Sequence, residues 1–141
     1  MKINRYYLAY GSNLNKHQMK RRCPDAEPIG TVIIPDYELV FRTFATIEPK
    51  SGSYVPCAVW RISREDERSL DIYEGFPQLY VKQDFCVELQ QQSLRAMAYV
   101  MPNGVRPKAP PSTGYLMSIM EGYADFGFDD KLLTIAAARE E

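Results

Sequence analysis

The sequence has few of the residues that common catalytic sites and covalent cross-links require. Its 141 residues include one histidine, one tryptophan and three cysteines, which are Cys23, Cys57 and Cys86. Cysteines that are odd in number and far apart predict reduced, mostly buried thiols rather than a disulfide framework or a zinc site. A Ser–His–Asp or Cys–His mechanism would need His17, which lies in a charged segment expected to face solvent. We therefore predict neither a metal site nor a histidine-dependent nucleophile.

Charge of one sign and long apolar runs are also lacking. The net charge is −1, which provides no electrostatic basis for binding nucleic acid. No apolar run near Met1 is typical of a signal peptide or a membrane span, so we expect a cytoplasmic protein without membrane insertion. Basic residues on one short segment are interpreted as a solubilising face: Lys16, Lys20, Arg21 and Arg22. A phosphate-binding G-x-x-x-x-G-K-[ST] motif is absent.

What the sequence has is an ordinary globular composition with many tyrosines. Hydrophobic residues make up 45% and charged residues 25%, and neither repeats nor low-complexity linkers occur. Residues 1–141 are therefore predicted to form a single domain. The 10 tyrosines suit either the walls of a small polar pocket or a partly hydrated core, since each has an apolar ring and a hydrogen-bonding hydroxyl.

The most informative stretch is Tyr7–Leu14. A strand is predicted from Ile3 to Tyr10, and a helix from Lys16 to Arg22 with Asn15 as N-cap and Gln18 as its capping-box partner. The intervening Gly11-Ser12-Asn13 would expose backbone N–H groups, and glycine lets a ligand approach them closely. The junction is interpreted as a site for a carboxylate or an oxyanion, or else as a purely structural turn.

The rest of the chain alternates between strand-like and helix-like segments. Residues 31–34 form a short apolar run that Pro35-Asp36 interrupts. Strands are predicted at 37–42, 54–62, 80–89 and 93–101, with a loop over 46–52 and an edge or bulge at Pro56. Helices are predicted from Ser63 to Tyr73 or Glu74, from Ser112 for about a dozen residues with Gly122 as a possible early end, and from Asp129 to the C-terminus.

Glu74 is the strongest candidate for a catalytic acid or base. Its predicted place at a helix C-terminus disfavours negative charge, and its spacing from Leu70 puts it beside the apolar face of the helix. Both effects raise the pKa of a carboxyl group toward the range that suits general acid/base catalysis. The alternative is that the helix end frays and Glu74 points into water.

Four segments, in this order and spacing, resemble the γ-glutamylcyclotransferase family. They are Tyr10-Gly11-Ser12-Asn13-Leu14, Leu70-Asp71-Ile72-Tyr73-Glu74-Gly75, Tyr80, and Pro111-Ser112 through Tyr115. The resemblance extends from about residue 6 to residue 125. It implies an α+β fold, a compact mixed β-barrel with peripheral helices. It also implies cleavage of γ-glutamyl compounds to 5-oxoproline and an amino acid or amine, without a cofactor.

The resemblance also implies roles for individual residues. Glu74 matches the catalytic glutamate, and Tyr80 and Tyr115 match aromatic residues of the substrate pocket. The substrate-binding loop comprises Tyr7, Leu8, Ala9, Tyr10, Gly11, Ser12 and Asn13. The expected partner is a small γ-glutamyl substrate, and a homodimer is possible.

The implied reaction needs little from the protein. The substrate's α-amine attacks its own γ-carbonyl after losing a proton to Glu74, which then protonates the departing amine. Two alternatives stay open: cyclotransfer from γ-glutamylamines, and a binding module that keeps the pocket without chemistry.

Overall fold

Residues 5–139 are described by a computed structural model. Within that range the chain forms nine regular elements and a 3₁₀ turn at Ser12–Leu14, in the order β1 (Arg5–Ala9), α1 (Lys16–Arg22), β2 (Glu27–Arg42), β3 (Phe44–Ile62), α2 (Arg64–Glu74), β4 (Val81–Leu89), β5 (Gln92–Val100), α3 (Thr113–Asp125) and α4 (Lys131–Ala138). Positions 3 and 4 of the predicted first strand, and positions 140 and 141 of the predicted last helix, lie outside the described residues.

The strands form one curled sheet in the order β2-β3-β1-β5-β4. β1 is central, antiparallel to β3 and parallel to β5, so its last residues are buried. The two outer strands approach each other through side chains: the Tyr37 and Phe85 rings meet edge to face at 5.4 Å, and Gln83 donates to the Tyr37 hydroxyl at 3.1 Å. The predicted α+β class is thus confirmed, and in residues 5–139 the barrel is an open sheet without backbone pairing between β2 and β4.

The long β2–β3 hairpin differs from the prediction. The loop expected over 46–52 is wrong, because all of those residues belong to β3, and residues 46–49 pair with β2. The separate runs expected at 31–34 and 37–42 are one strand, interrupted only by register shifts at Pro28/Gly30 and Pro35/Tyr37. Residues 50–53 lie opposite Asp36 at the second of these shifts and have no paired partner in β2, and the Asp36 carboxylate accepts from the Gly52 N–H at 3.0 Å. Residues 49–52 are exposed, so this part of the hairpin needs no apolar alternation.

Local capping signals set the ends of α2 as predicted. The Ser63 hydroxyl accepts from the Asp66 N–H at 3.1 Å, and the Asp66 carboxylate accepts from the Ser63 N–H at 3.2 Å. Gly75 ends the helix with φ of 68°, a conformation that glycine adopts without steric cost. The caps therefore place Glu74 at the last helical residue.

The other helices show three departures. Asn15 caps α1, but the Gln18 side chain donates to Ser118 instead of completing a capping box. Gly122 does not end α3, which continues to Asp125. The last helix begins at Lys131, whose N–H donates to the Asp129 carboxylate at 2.8 Å, and it ends at Ala138.

The three cysteines are free, with Cys23 and Cys57 buried and Cys86 exposed. Among residues 5–139, no helix combines the length and the apolar character needed to cross a membrane.

Candidate active site

Two adjoining cavities lie where the end of β1, the end of α2 and the start of α3 meet. The inner cavity, about 20 Å³, has mainly polar walls and is lined by Tyr7, Tyr10, Gly11, Ser12, Asn13, Ala45, Glu74, Tyr80, Tyr99 and Tyr115. The outer cavity, about 230 Å³, has mainly apolar walls and is lined by Phe44, Ile72, Tyr73, Glu74, Gly75, Leu79, Tyr80 and Tyr115. Glu74, Tyr80 and Tyr115 belong to both walls, so they mark the junction between the cavities.

The turn after β1 supplies backbone donors to the inner cavity. Within residues 5–139, the N–H groups of Gly11, Ser12 and Asn13 have no protein acceptor, because the chain leaves the sheet after Ala9 and only then enters the 3₁₀ turn. A Cβ at Gly11 would lie 3.4 Å from the Ala45 Cβ and 3.7 Å from the Tyr115 hydroxyl. Both are ordinary van der Waals distances, so a Cβ would fit but would fill the space between Gly11 and these two residues, and glycine leaves that space free.

Leu8 and Ala9 lie elsewhere. Both side chains are buried in the core and line neither cavity. Of the predicted loop, the structure thus brings Tyr7 and Tyr10–Asn13 to the inner cavity, and leaves Leu8 and Ala9 as strand residues that support it.

The Glu74 carboxyl group has the raised pKa that its position predicted. Leu70, one turn earlier, is fully buried and holds the end of α2 against the core. Glu74 itself is half-buried at the junction of the cavities. Loss of hydration raises its pKa to about 7, against a smaller lowering by the positive charge of Arg22. A carboxyl group with this pKa exchanges a proton readily near neutral pH.

The tyrosines around Glu74 are held by the backbone at Ala45. The Tyr80 hydroxyl donates to the Ala45 carbonyl at 2.5 Å, and the Ala45 N–H donates to the Tyr115 hydroxyl at 3.0 Å. The Tyr115 hydroxyl proton therefore remains available to a ligand. Burial raises the pKa values of both phenols, so they act near neutral pH as uncharged hydrogen-bonding groups.

A second set of contacts fixes the loop from the side of α1. Arg22 donates to the Asn13 side-chain carbonyl, and the Asn13 amide donates to the Tyr7 hydroxyl at 2.9 Å. The Arg22 guanidinium lies 3.5 Å from the centroid of the Tyr73 ring, whose hydroxyl is 2.9 Å from the Ser12 hydroxyl oxygen. The interpretation of Arg22 as part of a solubilising face is therefore wrong: it contacts the site, whereas Lys16, Lys20 and Arg21 are exposed.

Sequence reasoning missed several lining residues: Phe44, Ala45, Ile72, Tyr73, Leu79 and Tyr99. Ile72 and Tyr73 directly precede Glu74, so a search of the whole helix end could have found them. Tyr99 donates to the Asp71 carboxylate at 2.5 Å, a contact between β5 and α2 that no local pattern indicates.

Fold and site together define a class of protein. It is a mixed α+β protein with a small tyrosine-lined cavity, unpaired backbone donors on one wall and a carboxyl group of raised pKa at its opening. Such a site suits a small, polar or charged molecule and proton-transfer chemistry.

Comparison with known proteins identifies the family. Residues 7–118 match the family described as gamma-glutamyl cyclotransferase, AIG2-like. The chain is 30% identical to γ-glutamylcyclotransferase of Mus musculus and 29% identical to that of Homo sapiens, in each case over 92% of this chain and 77% of the relative. A solved structure of a γ-glutamyl cyclotransferase superposes with a TM-score of 0.83 at 28% identity, covering 98% of this chain and 89% of the other. The chain therefore belongs to the γ-glutamyl cyclotransferase, AIG2-like family, and the predicted family, fold and enzyme class are confirmed.

Proposed function

We propose that this enzyme releases 5-oxoproline from γ-glutamyl amino acids, with Glu74 as the general acid/base. The observation that carries the proposal is the Glu74 carboxyl group, with a pKa of about 7, in the same cavity wall as the free N–H groups of Gly11–Asn13. The first group can move a proton and the second can hold an anion, which are the two functions that ring closure requires.

The reaction is internal to the substrate. The α-ammonium group gives a proton to the Glu74 carboxylate, and the free amine attacks the γ-carbonyl carbon to form a tetrahedral intermediate. The bond from that carbon to the leaving nitrogen then breaks as Glu74 returns the proton to that nitrogen and the carbonyl re-forms. The ring nitrogen still carries two protons at this stage, and it passes one of them through Glu74 to the departing amine, which leaves in its ammonium form. The products are 5-oxoproline and a free amino acid, and Glu74 ends as the carboxylate. Because nucleophile and electrophile belong to one molecule, the protein's main task is to hold it in a folded shape.

The dimensions of the cavities suggest how the substrate lies. About 20 Å³ admits roughly one polar group of the size of a water molecule, so the inner cavity takes one charged end of the glutamyl group. The remainder of the substrate extends into the outer cavity, past Glu74. The N–H groups of Gly11–Asn13 and the free Tyr115 hydroxyl proton bind either the α-carboxylate or the oxyanion of the intermediate.

Glu74→Gln tests the proposal directly. The glutamine side-chain amide cannot accept the proton of the α-ammonium group or return it to the leaving nitrogen. We therefore expect kcat for 5-oxoproline release from γ-glutamyl-L-alanine to fall by about 10²–10⁴-fold, with KM little changed. Glu65→Gln is the matched control, because Glu65 is exposed in the first turn of the same helix.

Two results would contradict the proposal. Undiminished turnover by Glu74→Gln would remove its catalytic role. Thermal stabilisation of the wild-type chain by γ-glutamyl compounds, with release of 5-oxoproline from none of them, would indicate a binding module instead. Comparing γ-glutamyl amino acids with γ-glutamylamines in the same assay distinguishes the two substrate classes.

A further inference from the structure

The outer cavity has a chemical character that ring closure alone does not require. Six of its lining residues are aromatic or aliphatic: Phe44, Ile72, Tyr73, Leu79, Tyr80 and Tyr115. Glu74 is the only charged residue on this wall among those that the structure describes. The cavity's volume of about 230 Å³ is sufficient for a medium-sized side chain.

Several of these apolar groups are exposed to solvent at the mouth of the cavity. Ile72 has 83% of its surface exposed, and Phe44 has 36%. The Phe44 ring meets the Tyr115 ring edge to face at 5.6 Å, which gives this wall a defined aromatic surface. A ligand with an apolar body would cover these groups and remove them from water, which favours binding in proportion to the area covered.

The geometry of the reaction determines which part of the substrate reaches this wall. The inner cavity has the polar groups for the charged glutamyl end, and Glu74 lies at the junction. Glu74 must reach both the α-amine and the leaving nitrogen, so the bond that breaks lies at the junction too. The group attached to the leaving nitrogen then extends into the outer cavity.

We propose that the outer cavity is the leaving-group site, and that it selects γ-glutamyl compounds whose leaving amine carries a branched aliphatic or aromatic side chain. This inference rests on the proposed function. The charged group on this wall, Glu74, is engaged by the two reacting nitrogens. A charged or strongly polar side chain therefore loses hydration against the apolar remainder of the wall, whereas an apolar one contacts Phe44, Ile72 and Leu79. The preference for apolar leaving groups therefore has two causes: polar side chains lose hydration in the outer cavity, and apolar side chains gain contacts there.

Arg106 is relevant to a second feature of the leaving group, the presence or absence of a carboxylate. Its guanidinium lies 5.5 Å from the centroid of the Phe44 ring, beside the apolar wall. A leaving amino acid carries a carboxylate, the group with which a guanidinium pairs, and a leaving amine carries none. Leaving amino acids and leaving amines can both carry an apolar side chain. A pair of substrates that differ only in this carboxylate therefore shows which of the two classes the site prefers.

The test compares kcat/KM for four substrates. γ-Glutamyl-L-phenylalanine and γ-glutamylphenethylamine share the aromatic body, and γ-glutamylglycine and γ-glutamyl-L-lysine lack it. We expect both aromatic substrates to exceed γ-glutamylglycine by about tenfold or more, with γ-glutamyl-L-lysine no better than γ-glutamylglycine. The ratio between the two aromatic substrates measures what the carboxylate contributes.

Substitutions in the wall of the outer cavity test whether that wall causes the preference for aromatic substrates. Ile72→Ser and Phe44→Ala should each lower the phenylalanine-to-glycine ratio of kcat/KM by about threefold or more, because each removes apolar surface from the wall. Ile33→Ser is the matched control for Ile72→Ser, since Ile33 is also an exposed isoleucine, at 60%, and lies on β2 outside both cavities. Its ratio should equal that of the wild type.

The outcomes separate the inference from the function on which it rests. Equal turnover of all four substrates, or a preference for glycine or lysine, would overturn the inference and leave the proposed function intact. An equal loss of the ratio in Ile72→Ser and Ile33→Ser would overturn the assignment to the outer cavity. Absence of 5-oxoproline from all four substrates would overturn both.

Discussion

At the scale of single residues, the site depends on the balance between burial and charge at Glu74. Removal from water disfavours the carboxylate and Arg22 favours it, and the first effect is larger, so the pKa is about 7. A fully solvated glutamate would be too weak a base to take a proton from an α-ammonium group. A glutamate paired directly with a cation would be weaker still. The half-buried position avoids both extremes.

The pH dependence of activity should follow from this balance. The carboxylate is the form that accepts the first proton, so kcat/KM for 5-oxoproline release should fall as the pH drops below about 7. Arg22→Gln removes the charge that lowers the pKa of Glu74, so the fall should begin at a higher pH. The measurement is a pH profile of kcat/KM.

Lys20→Gln is the control for this experiment, because it removes a charge of the same sign from an exposed position on α1. Its profile should coincide with that of the wild type. A profile that moved equally in both variants, or in neither, would contradict the assigned interaction between Arg22 and Glu74.

At the scale of elements, the site depends on how α3 crosses the 3₁₀ turn. Gly122 on α3 lies against Leu14 and Asn15, and the Asn15 side chain donates to the Ser118 carbonyl at 3.1 Å. This contact holds α3 against the turn that follows β1, and Tyr115 at the start of α3 thereby reaches the Ala45 N–H. The position of the turn that follows β1 and the position of Tyr115 therefore depend on each other.

Gly122→Ala should disturb this crossing. The added Cβ would lie 2.6 Å from the Leu14 Cβ and 2.7 Å from the Asn15 nitrogen, distances that force the two elements apart. We expect the free energy of unfolding to fall by about 1–3 kcal/mol, measured by urea denaturation. Gly114→Ala, on the same helix with nothing within 4 Å of the new Cβ, should instead be neutral or stabilising by up to about 1 kcal/mol. Equal effects of the two substitutions would contradict a role for close packing at Gly122.

At the scale of the whole molecule, keeping a carboxyl group partly desolvated lowers stability at and above neutral pH. The pKa of Glu74 is about 7 in the folded chain, against 4.5 in its ordinary state. Between these values the folded chain binds the proton more tightly than the unfolded chain, so stability falls as the pH rises from 4.5 to 7. The shift corresponds to about 3 kcal/mol.

Glu74→Gln should therefore be more stable than the wild type at pH 8. The expected gain in the free energy of unfolding is about 1–3 kcal/mol, because glutamine has no charge to desolvate but still loses contact with water. The gain should shrink as the pH falls through 7 and reach its minimum below about 4.5. Thermal or urea denaturation at several pH values measures it. A gain independent of pH would show that Glu74 is not the group responsible.

The homodimer and the cytoplasmic location stay predictions, whereas α+β class and family membership are confirmed. The main error was in the hairpin, where Pro49 and Gly52 are typical of a loop. β3 pairs with β2 on both sides of residues 50–53, so the chain stays in the hairpin through this exposed, unpaired stretch. The tertiary pairing overrode the local propensity.

The sequence by itself determined the features that depend on short-range physics. The strand, turn and helix around Gly11, the capped α2 and the place of Glu74 at its end all follow from neighbouring residues. Only the tertiary structure decided what Glu74 faces, because Ala45, Tyr99 and Tyr115 come from elements far apart in the chain. Arg22 illustrates the same limit: its neighbours in sequence are solvated, and only the approach of α1 to α2 turns its side chain onto Tyr73. Such contacts depend on the order of strands in the sheet, which no local pattern encodes.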